Sequence, residues 1–146
     1  MSGCITYQIK RLDKFESSFD KLVKAHYRKN KRARSSFENL IDYFIDELRK
    51  NPSFELSDDE NFPKGCNKID FQFRKIRFNM PELQGAARYG RLMYIVHEPQ
   101  HTVYLLWVYT HEEFRKRPGD DELRREFNSI QQRAQQEPTE LTDDFE

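Results

Sequence analysis

Basic side chains concentrate in the C-terminal half of the chain, and aromatic residues and histidines lie among them. Between residues 71 and 118 the cations are Arg74, Lys75, Arg77, Arg88, Arg91, Arg115, Lys116 and Arg117. Arginine binds phosphate through two parallel hydrogen bonds and can neutralise the charge that develops during phosphoryl transfer. A histidine or a lysine can donate a proton to a leaving 5′-oxygen or accept one from a ribose 2′-hydroxyl. This set is compatible with cleavage of RNA, although basic residues on an exposed strand are often only a solvated surface.

The same segment contains three histidines and no recognisable catalytic or phosphate-binding motif. His111 lies at the end of an apolar run, whereas His97 and His101 flank a turn, where solvated histidines are commoner than metal ligands. The sequence has no glycine-rich phosphate loop, nucleophile elbow or HExxH motif, so no metal and no cofactor are predicted. The aromatic residues that can stack on a nucleobase, if they face the same side as the cations, are Tyr89, Trp107 and Tyr109.

The net charge of zero conceals an uneven distribution along the chain. Residues 119–146 hold three basic and nine acidic side chains, so residues 1–118 hold 22 basic and 16 acidic ones. A basic body with an acidic tail permits a polyanionic partner, with the tail competing for the same surface. The alternative is a solvated surface with a solubilising tail.

Length and composition indicate one folded domain in a reducing compartment. The 146 residues include 12 Phe and 7 Tyr, an aromatic content that disordered chains lack. No signal-peptide pattern or membrane-spanning segment is evident. Cys4 and Cys66 lack zinc-like spacing and are too few for a disulfide scaffold, so we expect a cytoplasmic protein with reduced thiols.

Hydrophobic periodicity predicts a strand, two helices, three strands and a final helix. Alternation with period two marks the strands, and spacings of three and four residues mark the helices. Asn30 is the expected N-cap of the second helix, which ends at Asn51 because the residue before proline avoids the helical conformation. The predicted elements are a strand near 5–10, helices over 12–27 and 31–50, a loop over 52–67, strands over 69–78, 85–96 and 101–111, and a helix over 120–135.

This order predicts an α+β fold with a β-α-α-β-β-β core and a C-terminal helix. The N-terminal strand and a two-helix hairpin would precede a three-stranded antiparallel sheet, with the hairpin on one face and the other face free for function. Alternation in the first of those three strands changes phase at Arg74-Lys75, which predicts a bulge there. The expected organisation is a body over 1–118, an appended helix over 119–136, packed on the body or reserved for a partner, and a disordered acidic tail over 137–146.

The string "ELQGAARYGRLMYIVHEPQHTVYLLWVYTHEEFRKRP" and the order of elements resemble the RelE/ParE superfamily of toxins from type II toxin–antitoxin systems, in particular its RelE/HigB-like branch. The resemblance covers about residues 5–118. The residues that fit the family patterns "lkG…yRl.Y.v" and "v.ll.v.H" are Leu83, Gly85, Arg91, Leu92, Tyr94, Leu105, Leu106 and His111.

The resemblance implies a RelE-like fold and a ribosome-dependent mRNA endonuclease that inhibits translation. In such an enzyme the ribose 2′-hydroxyl attacks its own phosphate, and the implied partners are a cognate antitoxin, mRNA and the ribosome. Arg91 matches the residue that contacts the scissile phosphate, and His111 matches a candidate general acid. The residues expected to bind RNA or phosphate are Arg74, Lys75, Arg77, Arg88, Arg115 and Lys116.

Two other functions fit the same sequence. One is a ParE-like toxin that binds a protein target such as DNA gyrase without catalysis. The other is a non-toxic interaction domain of the same fold, with the terminal helix covering the sheet face. Since fold alone does not determine activity, all three remain open at this level.

The register of the last hairpin decides whether Arg91 and His111 can act together. A regular turn centred on Pro99-Gln100 places His97 opposite Thr102 and Arg91 opposite Val108, which leaves His111 on the face opposite to Arg91. A bulge, or a position for His111 beyond the strand end, is required to bring both side chains into one site.

Overall fold

A mixed sheet with helices on both faces runs through residues 5–136, the part of the chain that the computed structural model describes. The strands are β1 (Gln8–Arg11), β2 (Ser57–Asp59), β3 (Phe71–Asn79), β4 (Tyr89–His97) and β5 (Thr102–Thr110). The helices are α1 (Asp13–His26), α2 (Lys31–Lys50) and α3 (Asp120–Gln136), and a 3₁₀ turn, Gly85–Arg88, leads into β4. The predicted α+β class is confirmed. The acidic tail predicted over 137–146 lies outside the described residues.

The sheet has five strands in the order β1-β5-β4-β3-β2, so the three predicted antiparallel strands, β3, β4 and β5, are present but form only its centre. β1 joins the far edge parallel to β5, and β2 pairs antiparallel to β3 from within the segment predicted to be loop. Aspartate is depleted in strands, so the acidic run at 58–60 gave no strand signal. The basic residues of β3 oppose those carboxylates and allow the pairing.

The hairpin of α1 and α2 covers one face of the sheet. The side chain of Asn30 accepts a hydrogen bond from the Ala33 backbone N–H at 3.0 Å, which confirms the predicted N-cap. Apolar stripes of both helices pack on inward-facing strand residues, including Ile76 and Leu92, both essentially inaccessible to solvent. The strand residues that alternate with these point to the opposite face of the sheet.

Helix α3 covers much of the second face, and the expectation that this face is free was wrong over that area. Leu123, Phe127 and Ile130 are buried against strand residues of the second face. The Phe127 ring lies 5.2 Å from the ring of Phe71, and 4.9 Å from that of Phe62 in the loop before β3. The alternative in which α3 packs on the body is therefore confirmed.

Strand β3 pairs with β4 without interruption, so the bulge predicted at Arg74-Lys75 is absent between Phe71 and Asn79. The phase of the apolar pattern changes because both faces of this strand are covered. Phe73 faces α3, whereas Ile76 and Phe78 face the helical hairpin. A strand buried on both faces loses the alternation that one solvated face would impose.

A bulge occurs instead in the hairpin of β4 and β5. Met93 is opposite Trp107, but the next residue, Tyr94, is opposite Leu105, so Leu106 is an extra residue in β5. His97 remains opposite Thr102, as predicted for the turn. Beyond the bulge the register is shifted by one residue relative to a regular hairpin.

Candidate functional site

Neighbouring cross-strand positions of β3, β4 and β5 place basic and aromatic side chains at one end of the sheet face that α3 covers. The central rung brings Arg77, Arg91 and Tyr109 side by side. Tyr89 lies two residues before Arg91 and therefore on the same face. The side chain of Arg77 is 56% exposed and Tyr89 is 47% exposed, so this end of the face is open to solvent. We call this cluster, with His111, the cation face.

The extra residue Leu106 places His111 on the cation face. Because Arg91 is opposite Tyr109 rather than Val108, alternation puts His111 on the same side as Arg91. The His111 backbone N–H donates to the Tyr89 carbonyl at 3.1 Å, which extends the ladder past the end of β5. The rings of Tyr89 and His111 lie 5.7 Å apart between centroids. The bulge that the sequence argument required for a joint site is present, in β5.

Arg91 is a half-buried cation without a carboxylate partner among residues 5–136. Its guanidinium Nη1 donates to the neighbouring Gly90 carbonyl at 2.7 Å. Burial, and then repulsion from Arg77, lower the pKa of Arg91 below its ordinary value. Both causes disfavour the charged guanidinium, and a bound anion would stabilise it.

The backbone that holds Arg91 depends on the absence of a side chain at Gly90. A Cβ built on Gly90 would lie 2.6 Å from ring carbons of Phe78, its cross-strand partner. The Phe78 ring thus crosses the β4 backbone at this rung, and glycine permits that close approach.

The surroundings of His111 lower its pKa from the ordinary value of histidine. Burial lowers its pKa first, followed by repulsion from Arg91, Lys75 and Arg77. The imidazole is therefore neutral near pH 7 when the face is empty. A bound phosphate would offset the three cations and raise the pKa again, so proton transfer at His111 would depend on phosphate binding.

Of the three aromatic residues proposed to stack on a base, the structure leaves Tyr89 accessible. Trp107 and Tyr109 are buried, and the Phe114 ring packs edge-on against each at 5.7 Å. The Tyr109 hydroxyl donates to the Lys116 carbonyl at 3.4 Å, and burial, followed by the nearby Glu60 carboxylate, raises its pKa to about 12. Tyr109 is therefore a protonated structural residue beneath the cation face.

Arg77 and Lys75, two of the predicted phosphate-binding residues of β3, are already paired with carboxylates. Arg77 Nη1 lies 2.8 Å from Asp58 Oδ2, and Lys75 Nζ lies 2.8 Å from Glu60 Oε1. The Glu60 carboxylate also contacts Arg117 Nη1 at 2.8 Å and thus bridges Lys75 and Arg117. Each of these three side chains is at most 20% exposed.

Arg74 lies on the opposite side of the sheet from the cation face. Its cross-strand partner is Tyr94, which packs under the helical hairpin. The guanidinium of Arg74 contacts Asp59 at 2.6 Å and the Ser57 hydroxyl at 2.7 Å. Arg74 therefore fixes β2 to β3 and does not join Arg91.

The other predicted RNA-binding cations lie around the edge of this region. Arg88 is an exposed residue of the 3₁₀ turn that enters β4, and Arg115 and Lys116 are exposed in the segment after β5. Asp58 and Glu60 were not among the predicted site residues. The signal for them was the acidic run at 58–60, whose negative charges complement the basic residues of β3.

Elsewhere in residues 5–136 the structure also corrects the expected environment of His97. His97, expected to be solvated, is 8% exposed, its ring 4.6 Å from that of Phe71, and burial lowers its pKa. Within residues 5–136 no group of three His, Cys, Asp or Glu side chains is placed to hold a metal ion. No helix of that region is long and apolar enough to cross a membrane.

Comparisons with known proteins include a weak similarity to a solved structure. No protein-family model matches the sequence, and no curated protein matches it. A chain from the crystal structure of the archaeal RelE-RelB complex of Pyrococcus horikoshii OT3 is similar, with 18% sequence identity and a TM-score of 0.43. The match covers 72% of this chain and 94% of that one. Similarity at this level does not assign the chain to a family.

Proposed function

We propose that the protein is the toxin of a type II toxin–antitoxin system and a ribosome-dependent mRNA endonuclease. The observation that carries the proposal is the shared face of Arg91 and His111. A guanidinium with no carboxylate partner among residues 5–136, beside a titratable imidazole and an exposed aromatic ring, is suited to a nucleotide and its 3′-phosphate. The sequence resemblance to the RelE/HigB-like branch points to the same chemistry.

In the proposed reaction Arg91 binds the scissile phosphate and stabilises the charge of the transition state. The ribose 2′-oxygen forms a bond to phosphorus, its proton passes to solvent water, and the bond from phosphorus to the 5′-oxygen breaks. His111, protonated once phosphate offsets the surrounding cations, donates its proton to that leaving oxygen. The products are a 2′,3′-cyclic phosphate and a 5′-hydroxyl end.

Tyr89 is the proposed support for the nucleobase. A base that stacks on an exposed tyrosine must be unpaired, so the arrangement favours single-stranded RNA over a duplex. The proposed partners are accordingly mRNA in the ribosome and an antitoxin that covers the cation face. Because α3 already fills much of the second face, such an antitoxin would act at the open end.

The cover provided by α3 favours one alternative, a non-toxic interaction protein of the same architecture. In that case the cation face would be an interface and His111 would be dispensable. The nuclease requires the His111 imidazole for its activity, whereas the interaction protein does not.

The test is to express the chain alone and measure growth, translation and mRNA integrity. Arg91→Ala and His111→Ala are compared with Arg34→Ala, which removes an exposed arginine that pairs with Glu38 on α2. The proposal expects arrest and mRNA cleavage with the wild type and the control, and loss of both in the two site variants. Soluble, folded wild-type protein without toxicity would contradict the proposal.

A further inference from the structure

The acidic residues of β2 and its continuation neutralise the basic strand that they cover. Asp58, Asp59 and Glu60 contact Arg77, Arg74 and Lys75 at 2.6 to 2.8 Å, one carboxylate for each cation. Two of the carboxylates, those of Asp58 and Glu60, lie on the side of the cation face. The chain thus supplies negative groups where the phosphates of a bound strand would lie.

The three pairs differ in how firmly they are held. Glu60 is 11% exposed and bridges Lys75 and Arg117, so its carboxylate is a fixed part of the packing. Arg74 is 12% exposed and also binds Ser57. Asp58 and Arg77 are 53% and 56% exposed. An exposed ion pair contributes little to stability, so a competing anion can replace it without unfolding the strand.

Arg77 is the cation of most interest because it is directly opposite Arg91 in the ladder. Its proximity lowers the pKa of Arg91, so the two guanidiniums repel each other across the rung. A phosphate between them would be bound from both strands. In the structure Asp58 pairs with Arg77 alone, and Arg91 has no carboxylate partner among residues 5–136.

We infer that Asp58 is an internal competitor of phosphate at the cation face. It holds Arg77 while the face is empty, and an RNA phosphate displaces it to gain both Arg77 and Arg91. This inference rests on the proposed function for the identity of the anion and concerns the regulation of the same site. Asp58 lowers the affinity of the cation face for anions and thereby weakens nonspecific binding of other polyanions.

The experiment compares Asp58→Asn with Asp46→Asn in the full chain. Asp46 is a matched control, because it also pairs with an arginine at the surface, Arg49 at 3.0 Å, and is 65% exposed. The probes are a single-stranded 2′-O-methyl oligoribonucleotide, which cannot undergo 2′-hydroxyl attack, and inorganic polyphosphate. Affinity is measured as a function of salt concentration.

We expect Asp58→Asn to raise affinity for both probes roughly three- to tenfold over Asp46→Asn. The slope of log affinity against log salt for the oligonucleotide should steepen by about 0.7, the value for one more phosphate contact on a single strand. Adding Arg77→Ala to Asp58→Asn should abolish the gain. Equal affinity of the two Asp variants, or a gain that persists without Arg77, would overturn the inference.

The two proposals fail in different ways. RNA cleavage that depends on Arg91, together with equal binding by the two Asp variants, would remove the inference and leave the nuclease. A gain in polyphosphate affinity that depends on Arg77, from a protein that never cleaves RNA, would leave the inference and remove the nuclease.

Discussion

Arg91 and His111 lie on the same face of the sheet because β5 contains one residue more than its partner strand. Leu106 is the additional residue, and it shifts the register so that Arg91 is opposite Tyr109. β-Bulges re-aim side chains next to functional sites in many sheets, and here the re-aimed residue is the histidine. The neighbouring Arg77 and Tyr89 complete a cluster that no single strand could form.

Replacing Arg91 should reduce activity without reducing stability. Arg91→Ala removes the proposed phosphate contact, and we expect kcat/KM for RNA cleavage to fall about 100- to 1,000-fold. Arg91→Lys keeps the charge but loses the paired hydrogen bonds, so its kcat/KM should lie between those of Ala and wild type. Steady-state kinetics measures both variants.

The free energy of unfolding of Arg91→Ala should equal or exceed that of the wild type. The reason is that the charge is half-buried, has no carboxylate partner among residues 5–136 and is repelled by Arg77. Urea denaturation checks this result. A marked loss of stability would show that Arg91 is a structural residue.

The pH dependence of cleavage should reveal His111 as an acid. A general acid works only when protonated, so activity should fall as pH rises through its pKa. In the free enzyme burial and three nearby cations lower that pKa, so kcat/KM should fall at a lower pH than kcat does. Activity that instead rises with pH through this range would assign His111 as a base.

Tyr89→Ala should weaken binding of RNA that carries bases. Stacking of one base on an aromatic ring contributes about 1–3 kcal/mol, whereas a strand without bases should bind equally well to variant and wild type. Tyr89→Phe should retain the affinity. Tyr43→Ala is the control, since Tyr43 is a similarly exposed tyrosine on α2. Equal losses for abasic and base-bearing strands would exclude stacking.

Phe127→Ala should unfold the protein more easily, because α3 is an integral layer. The ring is 1% exposed and touches Phe62 and Phe71, and loss of such a ring costs about 3–5 kcal/mol. Chemical denaturation measures the change. A cost below about 0.5 kcal/mol would indicate a detachable cover, since surface substitutions usually have effects within that range.

The sequence was informative where one face of an element is polar. The helical stripes and the apolar positions of α3 followed from periodicity, because each helix has a solvated side, and the Asn30 cap followed from the capping preference of asparagine. In β3, Phe73 and Ile76 are buried on opposite faces of the sheet. The resulting change of phase in the apolar pattern was interpreted as a bulge, although the strand is regular.

The central feature of the candidate site was not encoded in the local pattern. β5 is buried on both faces from Thr102 to Thr110, so an extra residue at Leu106 breaks no alternation. The motif match singled out Arg91 and His111, but their shared face required the register. Asp58 and Glu60 escaped notice because acidic residues predict loops, and their role appears only when the opposing cations are paired with them.

The most direct measurement is the chemistry of the RNA ends produced on translating ribosomes. Wild-type protein and the Arg34→Ala control should cut mRNA to give 2′,3′-cyclic phosphate and 5′-hydroxyl ends, and Arg91→Ala and His111→Ala should give neither. Intact mRNA with folded wild-type protein, or cleavage that persists in both site variants, would contradict the assignment of Arg91 and His111 as one catalytic site.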